Sequence, residues 1–233
     1  MSPAPPYPPE AVVFDLDGLL VDSEDAWARA TRQVVEDLGG VWEDALHTLL
    51  LGSGPAEAAR LLAAHLGGRH APADIAASMR GAAAAAFARG FEPRPGAVEL
   101  VKALHGQLPL AVATNSERAL ADRALSSSGL AGWFATVVCA DDVVAPKPAP
   151  DPYTMACAGC GARPERSVAL EDSPAGTRSA KAAGLWVIGC PSLPGVTLPA
   201  ADVVVASLTA VDPDLLAQPG RGVGSRGSRD RPT

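Results

Sequence analysis

Hydrophobic and polar positions along the chain follow two rhythms, and the change comes at Pro95-Gly96. Before it, one short apolar run at 11–14 reads as a β-branched-rich strand. The pattern then turns helical: segment 24–38 places Trp27, Ala30, Val34, Val35 and Leu38 on one face and stops at Gly39-Gly40. Three more helical segments, 43–51, 56–66 and the alanine-rich 72–91, follow with no strand between them. After Pro95-Gly96 the chain alternates, with helices at 97–104, 117–126, 151–160 and 174–183. Strands at 108–113, 136–139, 167–170 and 186–188 separate them, and 203–205 adds one more.

Such alternation is the signature of an α/β fold built on a Rossmann-like, doubly wound parallel sheet. The four-helix stretch between the first and second strands is too long for a simple crossover, so it reads as an inserted helical domain covering the site. The expected division is a core at 11–23 and 93–217 and a helical cap at 24–92. Residues 1–10 and 218–233 read as disordered ends, the second because it is rich in Gly, Ser and Arg without apolar periodicity.

With 233 residues, 48% of them hydrophobic, the chain is long enough to bury one good core and carry a smaller insert. A formal net charge of -7 provides no electrostatic footprint for nucleic acid. No apolar run approaches the roughly 18 residues that span a bilayer. A small-molecule partner is therefore expected, with no nucleic acid and no membrane. The proline-rich start lacks a basic leader and an apolar segment, so a cytoplasmic location is expected, and a monomer suits a domain of this size. Cys139, Cys157, Cys160 and Cys190 are too scattered for a disulfide framework and read as reduced thiols. The C-x-x-C at Cys157 has no second Cys or His pair to complete a zinc site, so these are read as small buried helix residues.

The chemistry gathers where strands end. Asp15 and Asp17 leave the first strand on one side of the extended chain, and Gly18 lets the backbone turn. Two close carboxylates persist when a divalent cation or a shared proton offsets their repulsion. After the second strand, Thr114-Asn115-Ser116 offers hydroxyls and backbone N–H groups ahead of a helix, suited to phosphate oxygens or to capping that helix. Lys147 sits between two prolines, which fixes its backbone. Glu171-Asp172-Ser173 follows a third apolar strand; capping at Pro174 accounts for Asp172 and Ser173 but not for Glu171. Two acidic clusters, a hydroxyl with amides and a lysine make a kit for phosphoryl transfer.

In order and spacing, Asp15-x-Asp17-Gly18, Thr114, Lys147 in Lys-Pro-Ala-Pro-Asp, and Glu171-Asp172-Ser173-Pro174-Ala175-Gly176 resemble the four motifs of the haloacid dehalogenase-like phosphohydrolases. The match spans roughly residues 11–190. The resemblance implies that Asp15 attacks phosphorus and forms an aspartyl-phosphate, and that Asp17 protonates the leaving alkoxide and later takes a proton from water. It implies Mg²⁺ held by Asp15, the backbone carbonyl of Asp17 and Asp172, with Glu171 orienting a metal-bound water. Thr114, the Asn115 amide and Lys147 would hold the phosphoryl oxygens. The substrate expected is a small phosphate ester.

Within the family, Asp17 argues for phosphate rather than carbon-halogen chemistry. The insert looks like the helical cap, and the wording of the third and fourth motifs is similar to β-phosphoglucomutases and sugar phosphatases. Resembling mutases carry a cap histidine where this chain has Trp27, and an arginine in a Gly-x-Ser-Arg loop where it has Gly52-Ser53-Gly54-Pro55. Losing groups that bind a second phosphate favours hydrolysis, although Arg80 or Arg89 could replace the missing cation. Trp27, Leu51, Gly52, Ser53 and Arg80 are the candidate substrate contacts of the cap, each with a reading as plain packing or a solvated charge. A catalytically inactive binding protein of the same fold is the alternative of a different class.

Overall fold

The computed structural model describes residues 5–217. Six parallel strands are ordered β3-β2-β1-β4-β5-β6: β1 Val12–Phe14, β2 Leu110–Ala113, β3 Thr136–Val138, β4 Val168–Glu171, β5 Trp186–Gly189 and β6 Val203–Val204. Alternate side chains feed the two faces, as a parallel sheet covered on both sides requires. Val12, Phe14, Leu110, Val112, Val168, Leu170 and Ile188 enter one core, while Val13, Ala111, Ala113, Ala169 and Val187 enter the other. The second face is lined by small residues, so α7 (Asp151–Gly159) can lie close and bring the fully buried Tyr153 over the sheet.

Phe14 is in register with Val112 on one side and Leu170 on the other. The next residue of each central strand therefore emerges at the same carboxyl edge, the edge at which open α/β sheets bind ligands. Helices α5 (Ala97–Leu104), α6 (Arg118–Ser127), α8 (Pro174–Ala183) and α9 (Pro213–Ala217) complete the described part of the sheet domain. In α8 the Ser173 hydroxyl accepts from the Gly176 N–H at 3.0 Å, Pro174 takes the first turn, and Gly184 closes the helix at φ +96°.

Between β1 and β2 stand α1 (Glu24–Asp37), α2 (Asp44–Leu50), α3 (Pro55–His65) and α4 (Pro72–Phe87). They share a core of Val34, Val35, Leu46, Ala59, Leu62, Ala63, Leu66 and Ile75. Helix α4 ends earlier than its alanine run suggests, because the chain turns through Gly90 at φ +73°. The expectation of a disordered start is corrected for Tyr7 to Glu10. The Arg166 guanidinium lies 4.8 Å from the Tyr7 ring centroid, and the Glu10 N–H donates to the Arg166 carbonyl at 2.7 Å. The Glu10 carboxylate pairs with Arg163 at 2.5 Å. Proline limits the segment to extended backbone, and these contacts pin it. Residues 1–4 and the expected tail at 218–233 lie outside the described residues. No described helix is long and apolar enough to cross a membrane.

Candidate active site

At the carboxyl edge of the sheet, Asp15, Glu171 and Asp172 bring carboxylate oxygens within 4.8 Å of one another, all buried. One cation enters this cluster: Lys147 Nζ lies 2.5 Å from Asp15 Oδ1 and 2.6 Å from Glu171 Oε1. Against the burial that would lower its pKa, the two carboxylates hold the Lys147 ammonium above its ordinary range. Tyr153 donates its hydroxyl to Glu171 Oε1 at 2.9 Å. Glu171 Oε2 accepts from the Ser173 N–H at 3.0 Å and the Ser173 hydroxyl at 3.1 Å. Both Glu171 oxygens are thus engaged in fixing Lys147 and the turn into α8, where a Cβ on Gly176 would overlap the Glu171 carboxyl group.

Asp172 differs. It is buried, and its Oδ2 has no hydrogen-bond partner among the described residues. Burial pushes its pKa well up, and Asp15 and Glu171 push the same way. Asp15 is also raised by burial, with Lys147 opposing and Glu171 and Asp17 adding to the rise. A buried carboxylate oxygen left unpaired beside two further carboxylates is costly unless a cation completes the cluster. Oxygen donors of this kind suit a hard divalent ion such as Mg²⁺. Gly18, at φ +77°, is required for the same reason: a Cβ there would collide with Asp172 Oδ2.

The Asp17 side chain stands outside that cluster. Its Oδ1 accepts from the Ser23 hydroxyl at 2.9 Å and Trp27 Nε1 at 3.0 Å, and its Oδ2 from the Thr114 hydroxyl at 3.2 Å and the Ser116 hydroxyl at 2.7 Å. Thr114 also accepts from the Ser116 N–H at 3.0 Å. The Asn115 side chain joins the cap loop to the lysine loop: Nδ2 donates to the Gly52 carbonyl at 2.9 Å and the Lys147 carbonyl at 3.1 Å, while Oδ1 accepts from the Lys147 N–H at 2.9 Å.

A cleft of about 970 Å³, its open mouth included, joins these groups to the helical insert. Trp27, Gly52, Ser53 and Arg80 all line it, as do Asp15, Asp17, Thr114, Asn115, Lys147 and Asp172. Trp27 also packs its ring edge-on against Phe87, with centroids 5.0 Å apart. Arg89 does not line this cleft; it borders a separate depression with Asp22 and Glu92. Sequence reasoning passed over Ser23, Tyr153, Glu24 and His47, and read Ser116 as a phosphate-binding or capping hydroxyl where the structure turns it to Asp17. The four that were passed over are brought in by helix placement, which carries no local signal.

Comparison with known proteins agrees with this geometry. A family model described as haloacid dehalogenase-like hydrolase matches residues 9–184. The chain is 33% identical over 174 residues to the fructose-1-phosphate phosphatase YqaB of Escherichia coli, covering 75% of this chain and 92% of that protein. It is 32% identical over 208 residues to the validoxylamine A 7'-phosphate phosphatase of Streptomyces hygroscopicus, covering 87% and 95%. The crystal structure of CbbY from Rhodobacter sphaeroides in complex with phosphate superposes with a TM-score of 0.73 at 30% identity, over 86% of this chain and 95% of that one. With its family model covering most of the chain and its four motifs gathered at one sheet edge, the protein belongs to the haloacid dehalogenase-like hydrolases.

Proposed function

We propose that this protein is a Mg²⁺-dependent phosphatase that hydrolyses a small phosphomonoester, of the sugar-phosphate class, through an aspartyl-phosphate on Asp15. The observation that carries the reading is the joining of a lysine-bound Asp15 with the unpartnered Asp172 oxygen in one buried cluster. Asp15, the backbone carbonyl of Asp17 and Asp172 would hold Mg²⁺, which when bound supplies positive charge against the phosphoryl oxygens. Glu171 we assign to fixing Lys147 rather than to orienting a water, since both of its oxygens are engaged.

In the first step an Asp15 oxygen attacks phosphorus, the bond to the leaving oxygen breaks, and Asp17 delivers a proton to that oxygen. Asp17 must release at least one of its four donors to do so, and the hydroxyls of Ser23, Thr114 and Ser116 can turn to allow it. In the second step water attacks the aspartyl-phosphate, its proton passes to Asp17, and phosphate leaves with Asp15 restored. Lys147, Thr114 and the Asn115 N–H would take the growing charge on the phosphoryl oxygens. The helical unit 24–92 acts as the cap that shuts the site from bulk water.

Trp27 and Pro55, at the positions of the mutases' histidine and arginine, favour release of free phosphate over return to sugar. Relatives named as fructose-1-phosphate and validoxylamine 7'-phosphate phosphatases support the same class. Incubation with β-glucose 1-phosphate, a trace of the 1,6-bisphosphate and Mg²⁺ should release inorganic phosphate, and Asp15→Asn should release none. Glucose 6-phosphate formed without free phosphate would identify a mutase, the outcome that Arg80 in the cleft keeps open to test.

A further inference from the structure

The cleft contains a hydrogen-bonded carboxylate–imidazole pair that the catalytic steps do not use. Glu24, the first residue of α1, is buried, and its Oε2 lies 3.0 Å from Nε2 of His47 on α2. Both side chains line the cleft. His47 has a fifth of its side chain exposed, and its ring tilts against Trp42 with centroids 6.5 Å apart. Glu24 makes no other side-chain hydrogen bond among the described residues. Its Oε1 faces the catalytic cluster: a Cβ placed on Gly18 would come within 2.8 Å of Glu24 Oε1 and would meet Asp172 Oδ2 as well. Glu24 Oε1 thus stands on the cleft wall beside the catalytic cluster, with no hydrogen-bond partner among the described residues.

Resting on the phosphatase reading above, we infer that Glu24, oriented by His47, is a specificity-determining acceptor for hydroxyl groups on the leaving alcohol, so that the substrate is the phosphate of a neutral polyol. A carboxylate accepts hydrogen bonds from hydroxyls and repels a carboxylate or second phosphate near the ester. The surrounding charges act in the same direction. Asp15, Asp17, Asp172 and Glu117 line the same cleft. Of the two basic side chains that line it with them, Lys147 is paired with Asp15 and Glu171, and Arg80 leaves the acids in excess. A site whose acceptor bonds a ligand hydroxyl favours that ligand over one lacking the hydroxyl, because the bond is then lost. The His47 contact holds the carboxylate in one position; it is a positioning residue.

The test compares wild type, Glu24→Gln, Glu24→Ala and His47→Gln on a panel of hexose phosphates, on phosphoglycolate and on p-nitrophenyl phosphate, whose leaving group has no aliphatic hydroxyl. In Glu24→Ala, kcat/KM for the best hexose phosphate should fall about 10- to 200-fold relative to that for p-nitrophenyl phosphate. In Glu24→Gln, phosphoglycolate should gain at least about tenfold relative to p-nitrophenyl phosphate, as a negative charge near its carboxylate is removed. His47→Gln should raise KM for the hexose phosphate more than it lowers kcat. All three substrates falling in step, with a raised Mg²⁺ requirement, would assign Glu24 to the metal site and overturn the inference, as would ratios unchanged within about twofold. Wild type that turns over p-nitrophenyl phosphate but no hexose phosphate overturns it too. Wild type that turns over nothing overturns the phosphatase reading itself and the inference with it.

Discussion

Asp172 is the residue on which fold and chemistry pull against each other. Its carboxylate is buried with an unpaired oxygen, and burial together with Asp15 and Glu171 raises its pKa above the ordinary 3.8. Below 3.8 the folded and unfolded chains both carry the proton, and the group has no pH-dependent effect on stability. As pH climbs from there through the raised folded value, the unfolded chain releases its proton first. The metal-free fold therefore loses stability as pH rises. Asp172→Asn removes that penalty: near neutral pH it should raise the melting midpoint of metal-free protein, by about 2–4 °C for each kcal/mol relieved. If Asp172 holds Mg²⁺ as proposed, the ion should raise the midpoint of wild type and leave that of Asp172→Asn unchanged. Scanning calorimetry with and without Mg²⁺ checks both, and an Asn variant still stabilised by Mg²⁺ would place the ion elsewhere. Asp172 was legible only with its neighbours: helix capping gave it a structural excuse, but Glu171 beside it and the likeness to the fourth motif went beyond that excuse. Glu24 was not: an acid in a helix's first turn already has one.

Elements meet at Gly52, where the turn after α2 touches the sheet domain. Its φ of +71° is available to glycine, and a Cβ there would approach the Ser173 Cβ to 2.6 Å. Its carbonyl is the acceptor of the Asn115 amide. Gly52→Ala should thus act twice, costing about 1–2 kcal/mol for the left-handed backbone and prising the loop from Ser173 and Asn115. The expected result is a fall of at least about tenfold in kcat/KM, while Asn115→Ala, which removes the link without the collision, gives a smaller fall. Steady-state kinetics on both variants, with melting curves to separate folding from closure, decide the matter; full activity in Gly52→Ala would mean that this contact does not govern closure. The helices were readable because their apolar periodicity is local: 97–104 and 174–183 match α5 and α8 to the residue. Helix α9 at Pro213–Ala217 was missed because five residues are too short to show a period. Tyr7 to Glu10 were misjudged because their partners, Arg163 and Arg166, lie over 150 positions away.

Across the whole molecule, burial is unequally shared. Alternating strand and helix announced a parallel sheet, yet the order β3-β2-β1-β4-β5-β6 is written in no single segment; it depends on which faces pair once the chain collapses. In that arrangement β1 and β4, pairing on both sides, lie between two apolar layers. The helical insert has one small cluster of its own, and of the sixteen residues of α4 only Ile75 is buried there, while Ala83 and Phe87 are buried against the sheet domain's core. Alanine forms helix readily but removes little apolar area from water, so α4 depends on its neighbours to stay folded. Local opening should therefore begin in the insert, and amides of α2, α3 and α4 should exchange with solvent faster than those of β1, β2 and β4. Leu62, fully buried at the centre of that cluster, makes the sharper test. Leu62→Ala should cost about 2–5 kcal/mol. If the insert opens on its own, hydrogen exchange followed by mass spectrometry will show faster exchange confined to α1–α4, with the sheet amides unchanged. Sheet amides that speed up in step would mean that insert and core unfold as one unit, and that the cap opens as a rigid body rather than by melting.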